Sequence, residues 1–310
     1  MRKFIIKISL FAILFGIVDV LFGYVMSAVS LQIDTGKTGS DNYICDKSVD
    51  DILIFGSSRA KNHYNAQMIA DSLGISCYNC GASGCGIILA YGRLLMLLER
   101  HTPHTIIYEI TPEFDYLDKI DNHRYLADLK RHYDRSDIDS IFWSVDPTER
   151  YKMISGMYRH NTSSWRDLFY FFHKPSKNPE IRGFLPLDQE MDSLKMSHKR
   201  QPSHLKEKYV YDSLKIQYLD KFIDKTKGVD LIFVVSPTWS GRGAVLDTVR
   251  QICKKRSIPF LDYSNSPKYK HHPEYFFDGS HLNARGADEF TRDIIHELRK
   301  RQIPIDSLGF

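Results

Sequence analysis

Serine, aspartate and histidine occur in this 310-residue sequence in an order that can support acyl transfer. A serine hydroxyl is a useful nucleophile only when a base takes its proton and a third group orients that base. Ser58 stands where the apolar run Ile52 to Phe55 meets Gly56-Ser57 and a helical stretch follows. That position exposes a hydroxyl at a strand end, beside a helix N-terminus that favours developing negative charge. Serine is also a preferred helix N-cap, a role open to Ser58 or to its neighbour Ser57. Asp278 and His281, three residues apart, can be arranged so that the carboxylate holds one ring nitrogen while the other faces the serine. An Asp-x-x-His string alone is common in surface turns, and His271 and His272 lie nearby. The set gains meaning from its order: a strand-end serine, then the glycine-rich Asn79 to Gly86, then Asp278 and His281 before a terminal helix.

Other side chains offer binding chemistry. Arg59 suits a bidentate grip on a carboxylate or phosphate, or equally a pairing with a structural acid. Trp239 follows a strand end, so its ring can stack on a sugar or acyl group, or pack as a partly buried loop aromatic. The basic stretch His198-Lys199-Arg200, with His204, Lys206 and Lys208, reads as a solvated face or as a contact for acidic glycans or lipid headgroups. Cys77, Cys80 and Cys85 begin like a metal site, but no second Cys-x-x-Cys or paired histidine follows. They read as buried small residues, or as members of one disulfide among the five cysteines Cys45, Cys77, Cys80, Cys85 and Cys253, and no metal or cofactor is expected.

The elements that must position these residues alternate. Strands are predicted at Ile52 to Phe55, Ile75 to Tyr78, Thr105 to Ile110, Leu231 to Ser236 and Pro259 to Tyr263. Helices are predicted at Ala60 to Leu73, Ile87 to Glu99, Glu207 to Lys227, Ala244 to Lys255 and Ala284 to Arg301. This rhythm predicts an α/β fold, a doubly wound parallel sheet covered on both faces. Ligands bind such sheets at the carboxyl ends of the strands. Ser58, the glycine loop and Ser236 to Trp239 fall at strand ends or in later loops, and Asp278 to His281 lies between the last strand and the last helix, so one face of the sheet can collect them all. Between about Glu113 and Lys206 the alternation is lost; this aromatic-rich region reads as short helices inserted into the domain.

Composition sets the outer bounds. The chain is 43% hydrophobic and 26% charged, with a net charge of +4, which excludes a nucleic-acid binder as the whole-chain reading. Met1-Arg2-Lys3 precedes an apolar stretch from about Phe4 to Leu31, long enough to span a bilayer. A cleaved signal peptide would need small residues better arranged than Ser27, Ala28 and Ser30, and length favours an uncleaved anchor over residues 1–31. Asp19 within it carries a high desolvation cost. A polar linker is expected from about Gln32 to Asp50, and residues 32–310 are expected outside the cytoplasm, which in a bacterial cell means the periplasm.

Taken together, the blocks resemble those of the SGNH/GDSL hydrolase superfamily. Gly56-Ser57-Ser58 is similar to the first block, with Ser58 at the nucleophile and Ser57 in place of the usual aspartate. Asn79-Cys80-Gly81-Ala82-Ser83-Gly84 resembles the second, with Gly84 at the glycine whose N–H joins that of Ser58 in the oxyanion hole. Asp278-Gly279-Ser280-His281 resembles the last, with Asp278 and His281 as acid and base. The resemblance covers roughly residues 50 to 112 and 207 to 301 and implies a flavodoxin-like sheet. The third block departs from the pattern: Tyr108 to Asp115 lacks the oxyanion-hole asparagine, a loss on the order of 3 kcal/mol in transition-state stabilisation. Asn161, in the inserted region, is a candidate substitute or simply a surface asparagine. The Gly56-Ser57-Ser58-Arg59 variant together with a single N-terminal apolar segment is also similar to the exported proteins that add acyl groups to cell-envelope polymers, as in alginate acetylation and teichoic-acid D-alanylation. The implied activity is a serine esterase removing an O-acyl group, chiefly O-acetyl, from a cell-envelope or dietary polysaccharide. The alternatives are an O-acyltransferase working with an integral-membrane acyltransferase partner, and a non-catalytic binding protein.

Overall fold

The computed structural model describes residues 1–135, 137–173, 180–191, 209–239, 241 and 243–301. The chain begins with α1 (Arg2–Leu31) and α2 (Gly36–Asp46), then β1 (Ile52–Gly56), α3 (Ser58–His63), α4 (Ala66–Leu73), β2 (Cys77–Asn79), α5 (Ile87–Leu98) and β3 (Thr105–Glu109). Short helices follow: α6 (Pro112–Asp115), α7 (His123–Leu126), α8 (Ile138–Val145), α9 (Glu149–Lys152), α10 (Gly156–His160) and α11 (Ser164–Phe172). The last elements are α12 (Ser213–Lys225), β4 (Asp230–Val235), α13 (Asp247–Arg256), β5 (Phe260–Asp262) and α14 (Ala284–Lys300). Two compact units result, residues 1–47 with 122–178, and residues 48–121 with 179–310.

The second unit is an α/β fold on a parallel five-stranded sheet in the order β2-β1-β3-β4-β5, the flavodoxin-like arrangement. Its central strands read as unbroken apolar runs because both faces are covered. Ile52, Ile54, Ile107, Ile232 and Val234 face one way and join Ile69 of α4 with Phe290, Ile294 and Leu298 of α14. On the opposite side Phe55 and Tyr108 meet the ring of Phe222 from α12, edge on, at 5.6 and 5.1 Å. Each such side chain contributes about 1.5–3 kcal/mol of burial free energy.

Local capping moves several predicted boundaries. The single helix predicted over Ala60 to Leu73 is broken after His63, because the Asn65 side chain accepts the Met68 N–H at 3.1 Å and starts α4 afresh. Asp212 likewise starts α12, accepting from the N–H groups of Leu214 and Lys215 at 2.9 and 3.1 Å. A 3-10 turn over Gly243–Leu246 delays α13 to Asp247.

In the first unit, α1 is long and apolar enough to cross a membrane. Asp19 does not stand alone in it: its carboxylate accepts from Ser155 Oγ at 2.7 Å, Gly156 N at 2.8 Å and Met157 N at 2.9 Å. The expected polar linker is instead largely α2. Its Asn42 amide donates to Ser30 O and Ile33 O at 2.7 and 2.8 Å, and its Ile44 and Cys45 are buried, so packing overrides the poor helix propensity of its two glycines. The aromatic-rich region supplies α7 to α11. The basic stretch from His198 to Lys208 lies outside the described residues.

Candidate active site

At the carboxyl end of β1 the chain turns through Ser57 into α3. Ser57 is the N-cap: its Oγ takes the Arg59 N–H at 3.4 Å and bonds Thr111 Oγ1, just beyond β3, at 2.8 Å. Ser58 is thereby released from capping. Its Oγ lies 2.8 Å from His281 Nε2. His281 Nδ1 lies 3.0 Å from each Asp278 oxygen, so Nδ1 carries the ring proton and Nε2 is free to accept from the serine. Asp278 Oδ1 also accepts from the N–H groups of Ser280 and His281 at 2.7 and 2.8 Å. Burial pushes the Asp278 carboxyl up, but the hydrogen bonds from His281 and Ser280 outweigh it and hold the group below the usual aspartate range.

Beneath this line lies a fully buried polar cluster that the sequence reading does not anticipate. Arg59 is 1% exposed, with Nη2 3.0 Å from Glu109 Oε1 and 2.9 Å from Ser236 Oγ, and it also donates to Ser236 O. Glu109 further accepts from Ser236 N–H at 3.1 Å, from Ser236 Oγ at 2.9 Å and from the Tyr64 hydroxyl. Burial outweighs these partners and raises the Glu109 carboxyl above its usual range. His63 Nε2 accepts the Leu282 N–H at 2.9 Å, which leaves Nδ1 as the donor to Ser236 Oγ at 2.7 Å. Burial first, then the charges of Arg59 and His281, hold the His63 imidazole well below its ordinary pKa, so it is neutral. The backbone next to His281 is therefore tied, through His63, to the helix that carries Ser58.

A cavity of about 390 Å³ opens over the pair, lined by Ser58, His281, Thr111, Glu113, Phe114 and Thr238 among others. Its size suits a small acyl ester. Thr238 is 6% exposed, and its Oγ1 is buried without a hydrogen-bond partner. The glycine loop is fixed to the same strand end: Ala82 N–H donates to Gly56 O at 3.0 Å, and Asn79 donates to Ala60 O and Tyr64 O at 2.7 and 2.9 Å. Gly84 adopts φ of +70°, a conformation open to glycine and costly for other residues.

The remaining expected residues are placed as follows. Arg59 takes the second of its two readings, a partner for a buried acid rather than a hand for substrate. Trp239 is part-buried with its ring edge on Phe276 at 5.7 Å, and its backbone N–H donates to Gly279 O at 3.2 Å, which braces the Asp278 loop. Asn161 belongs to the first unit, where it accepts from Lys130 Nζ at 3.2 Å. All five cysteines are buried with free thiols, so no bridge links them. In the first unit His123, Asp146 and Glu149 bring ligand atoms within 4.8 Å of one another, but Lys152 Nζ already supplies a cation there, at 3.0 and 2.8 Å from the two carboxylates. Glu109 had a sequence signal: an acid ending a buried parallel strand requires a charged or donating partner.

No family model and no curated protein sequence matches the chain. Among solved structures, it is similar to a protein of Bacteroides fragilis described as a candidate acylhydrolase, at 11% identity and a TM-score of 0.37, over 83% of this chain and 90% of that one. It is also similar to a candidate platelet activating factor of Streptococcus pneumoniae, at 12% identity and a TM-score of 0.39, over 94% of this chain and 99% of that one.

Proposed function

We propose that the second unit is a serine-dependent O-acyl esterase. The observation that carries this reading is the unbroken hydrogen-bonded line from Ser58 Oγ through His281 to Asp278 at the mouth of a small cavity. Ser58 Oγ attacks the ester carbonyl carbon while His281 Nε2 takes its proton. In this reading the N–H groups of Ser58 and Gly84 hold the oxyanion, as the resemblance to SGNH hydrolases implies. Thr238, which lines the cavity and whose buried hydroxyl has no partner, turns to replace the donor that the third block lacks. Collapse breaks the ester C–O bond, and His281 returns the proton to the departing alcohol. Water then attacks the acyl-serine with His281 again as base, and the acid leaves as Ser58 regains its proton. Asp278 holds the His281 tautomer throughout. The natural ester in this reading is an O-acetyl group on a polysaccharide near the membrane.

Helix α1 favours a second reading, transfer of the acyl group to a polymer hydroxyl with an integral-membrane acyltransferase as donor. Both share the acyl-serine. The test is hydrolysis of p-nitrophenyl acetate by the purified full chain in detergent, beside Ser58→Ala and His281→Ala, with fluorophosphonate labelling as a second readout. Activity and labelling lost in both variants support the triad. Labelling without hydrolysis, but with transfer to an added glycan, supports the transferase. A folded wild type that neither hydrolyses nor labels leaves only a binding protein.

A further inference from the structure

We propose that the outward face of α11, with Ile154 just before α10, is immersed in the membrane interface beside α1, with phospholipid as its partner. The inference rests on α1 crossing the bilayer. It adds a second, monotopic contact that the anchor alone does not require.

Helix α11 is inside out for a protein in water. Trp165, Phe169 and Phe172, spaced to share one face, are 86%, 58% and 71% exposed. The inward face carries Asp167, fully buried, which accepts from the Thr38 hydroxyl at 2.6 Å with Arg166 alongside at 3.5 Å. A surface helix in water turns its apolar stripe to the core and its charges outward. A helix in the headgroup region, beside a protein wall, does the reverse, and tryptophan is enriched at that depth.

The depth follows from α1. At about 1.5 Å per residue, the stretch from Phe4 to Gly23 spans about 30 Å, the thickness of a hydrocarbon core. At Gly23 the helix meets Gly156 backbone to backbone: a Cβ added to Gly23 would lie 2.8 Å from the Gly156 Cα. One turn nearer the N-terminus, Asp19 takes its donors from Ser155, Gly156 and Met157. The start of α10 therefore lies at the outer edge of the hydrocarbon, with Ile154, 76% exposed, just before it. Ser27 Oγ and His160 Nε2, at 3.1 Å, mark the next turn outward, and α11 packs on α1 as well. Donors brought down to Asp19 remove the cost of an unsatisfied carboxylate at that depth. Helices α1 and α11 pack on each other and both leave apolar side chains bare, so one medium is taken to cover both.

The test uses the full chain in lipid nanodiscs whose phosphatidylcholine is brominated near the head or near the end of the acyl chains. The fluorescence of Trp165 is isolated as the difference between wild type and Trp165→Phe, a substitution that keeps the site apolar. The expected result is about a twofold or greater quenching of that difference by the lipid brominated near its head, weaker quenching by the deeper bromine, and shielding from soluble acrylamide. Trp165 open to acrylamide and indifferent to bromine overturns the proposal. Shielding from both overturns it equally, in favour of a protein partner or a second copy. Extraction of membranes with alkaline carbonate reports on α1 separately. Retention without bromine quenching sinks the interface contact alone, whereas release of the protein sinks the anchor and the contact together.

Discussion

Replacing Arg59 with methionine separates a substrate-binding arginine from a structural one. The guanidinium is 1% exposed and stands 3.0 Å from a fully buried Glu109, so Arg59→Met leaves a carboxylate in the interior without its cation. Breaking a buried ion pair from one side costs about 3–5 kcal/mol. Glu109 keeps neutral donors from Tyr64 and Ser236, which places the expected loss near the lower end, about 3 kcal/mol. Against a total stability of about 5–15 kcal/mol that is a large fraction, equivalent to a fall in melting temperature of roughly 6–12 °C. The loss depends on pH. Burial already raises the Glu109 carboxyl, and without Arg59 it rises further, so the folded variant binds a proton that the unfolded chain has released. The variant therefore loses stability as pH rises above the ordinary glutamate range, and its gap to wild type narrows on acidification. Guanidinium unfolding of the full chain in detergent, followed by fluorescence at neutral and mildly acidic pH, measures both effects. Arg59→Met combined with Glu109→Gln should recover most of the loss, because the pair is then removed together. A single-variant loss below about 1 kcal/mol, with a raised KM for an anionic ester, would refute the structural assignment.

Three further outcomes are expected. Thr238→Val should lower kcat about ten- to a hundredfold with KM little changed, as for a donor used only in the transition state; an unchanged kcat removes Thr238 from the oxyanion site. Burial lifts the Asp115 carboxyl to about 7, so the folded chain holds this proton more tightly than the unfolded one and stability falls as pH rises from about 4 towards 7. Asp115→Asn should abolish that slope, and parallel pH profiles of the two proteins would contradict it. Burial also pushes the Cys253 thiol up to about 12 and raises that of Cys77, so native protein should resist iodoacetamide while the denatured chain takes five labels, counted by mass spectrometry. Labelling of the native fold, or fewer than five labels after denaturation, would overturn the thiol assignment.

The sheet was legible because its strands are uninterrupted apolar runs ending in turn residues, a local signal. Ser58 was legible at the end of such a strand and Asp278 with His281 just ahead of the last amphipathic helix, and the three meet within hydrogen-bond distance. The support beneath them was not. Arg59 offers the same side chain to a substrate or to Glu109, and only the β1–β3 pairing brings the acid beside it. His63 gives no periodic signal at all; its use lies in the N–H of Leu282, which a chain fold must first deliver. The outward aromatics of α11 escape sequence reasoning because Trp165, Phe169 and Phe172 have core-like spacing, and which face turns inward is decided by Asp167 and Thr38.

The bond between Ser58 and His281 joins residues 223 positions apart, and that between His63 and Leu282 spans 219. At about 5–20 residues per second, synthesis of the segment between them takes roughly 10–45 seconds. During that interval the serine exists without its base, and the last helix must dock before the hydroxyl gains any reactivity. On the proposed reading a nascent chain is therefore chemically silent until His281 has arrived, and a chain truncated before Ala284–Lys300 is expected to be inert.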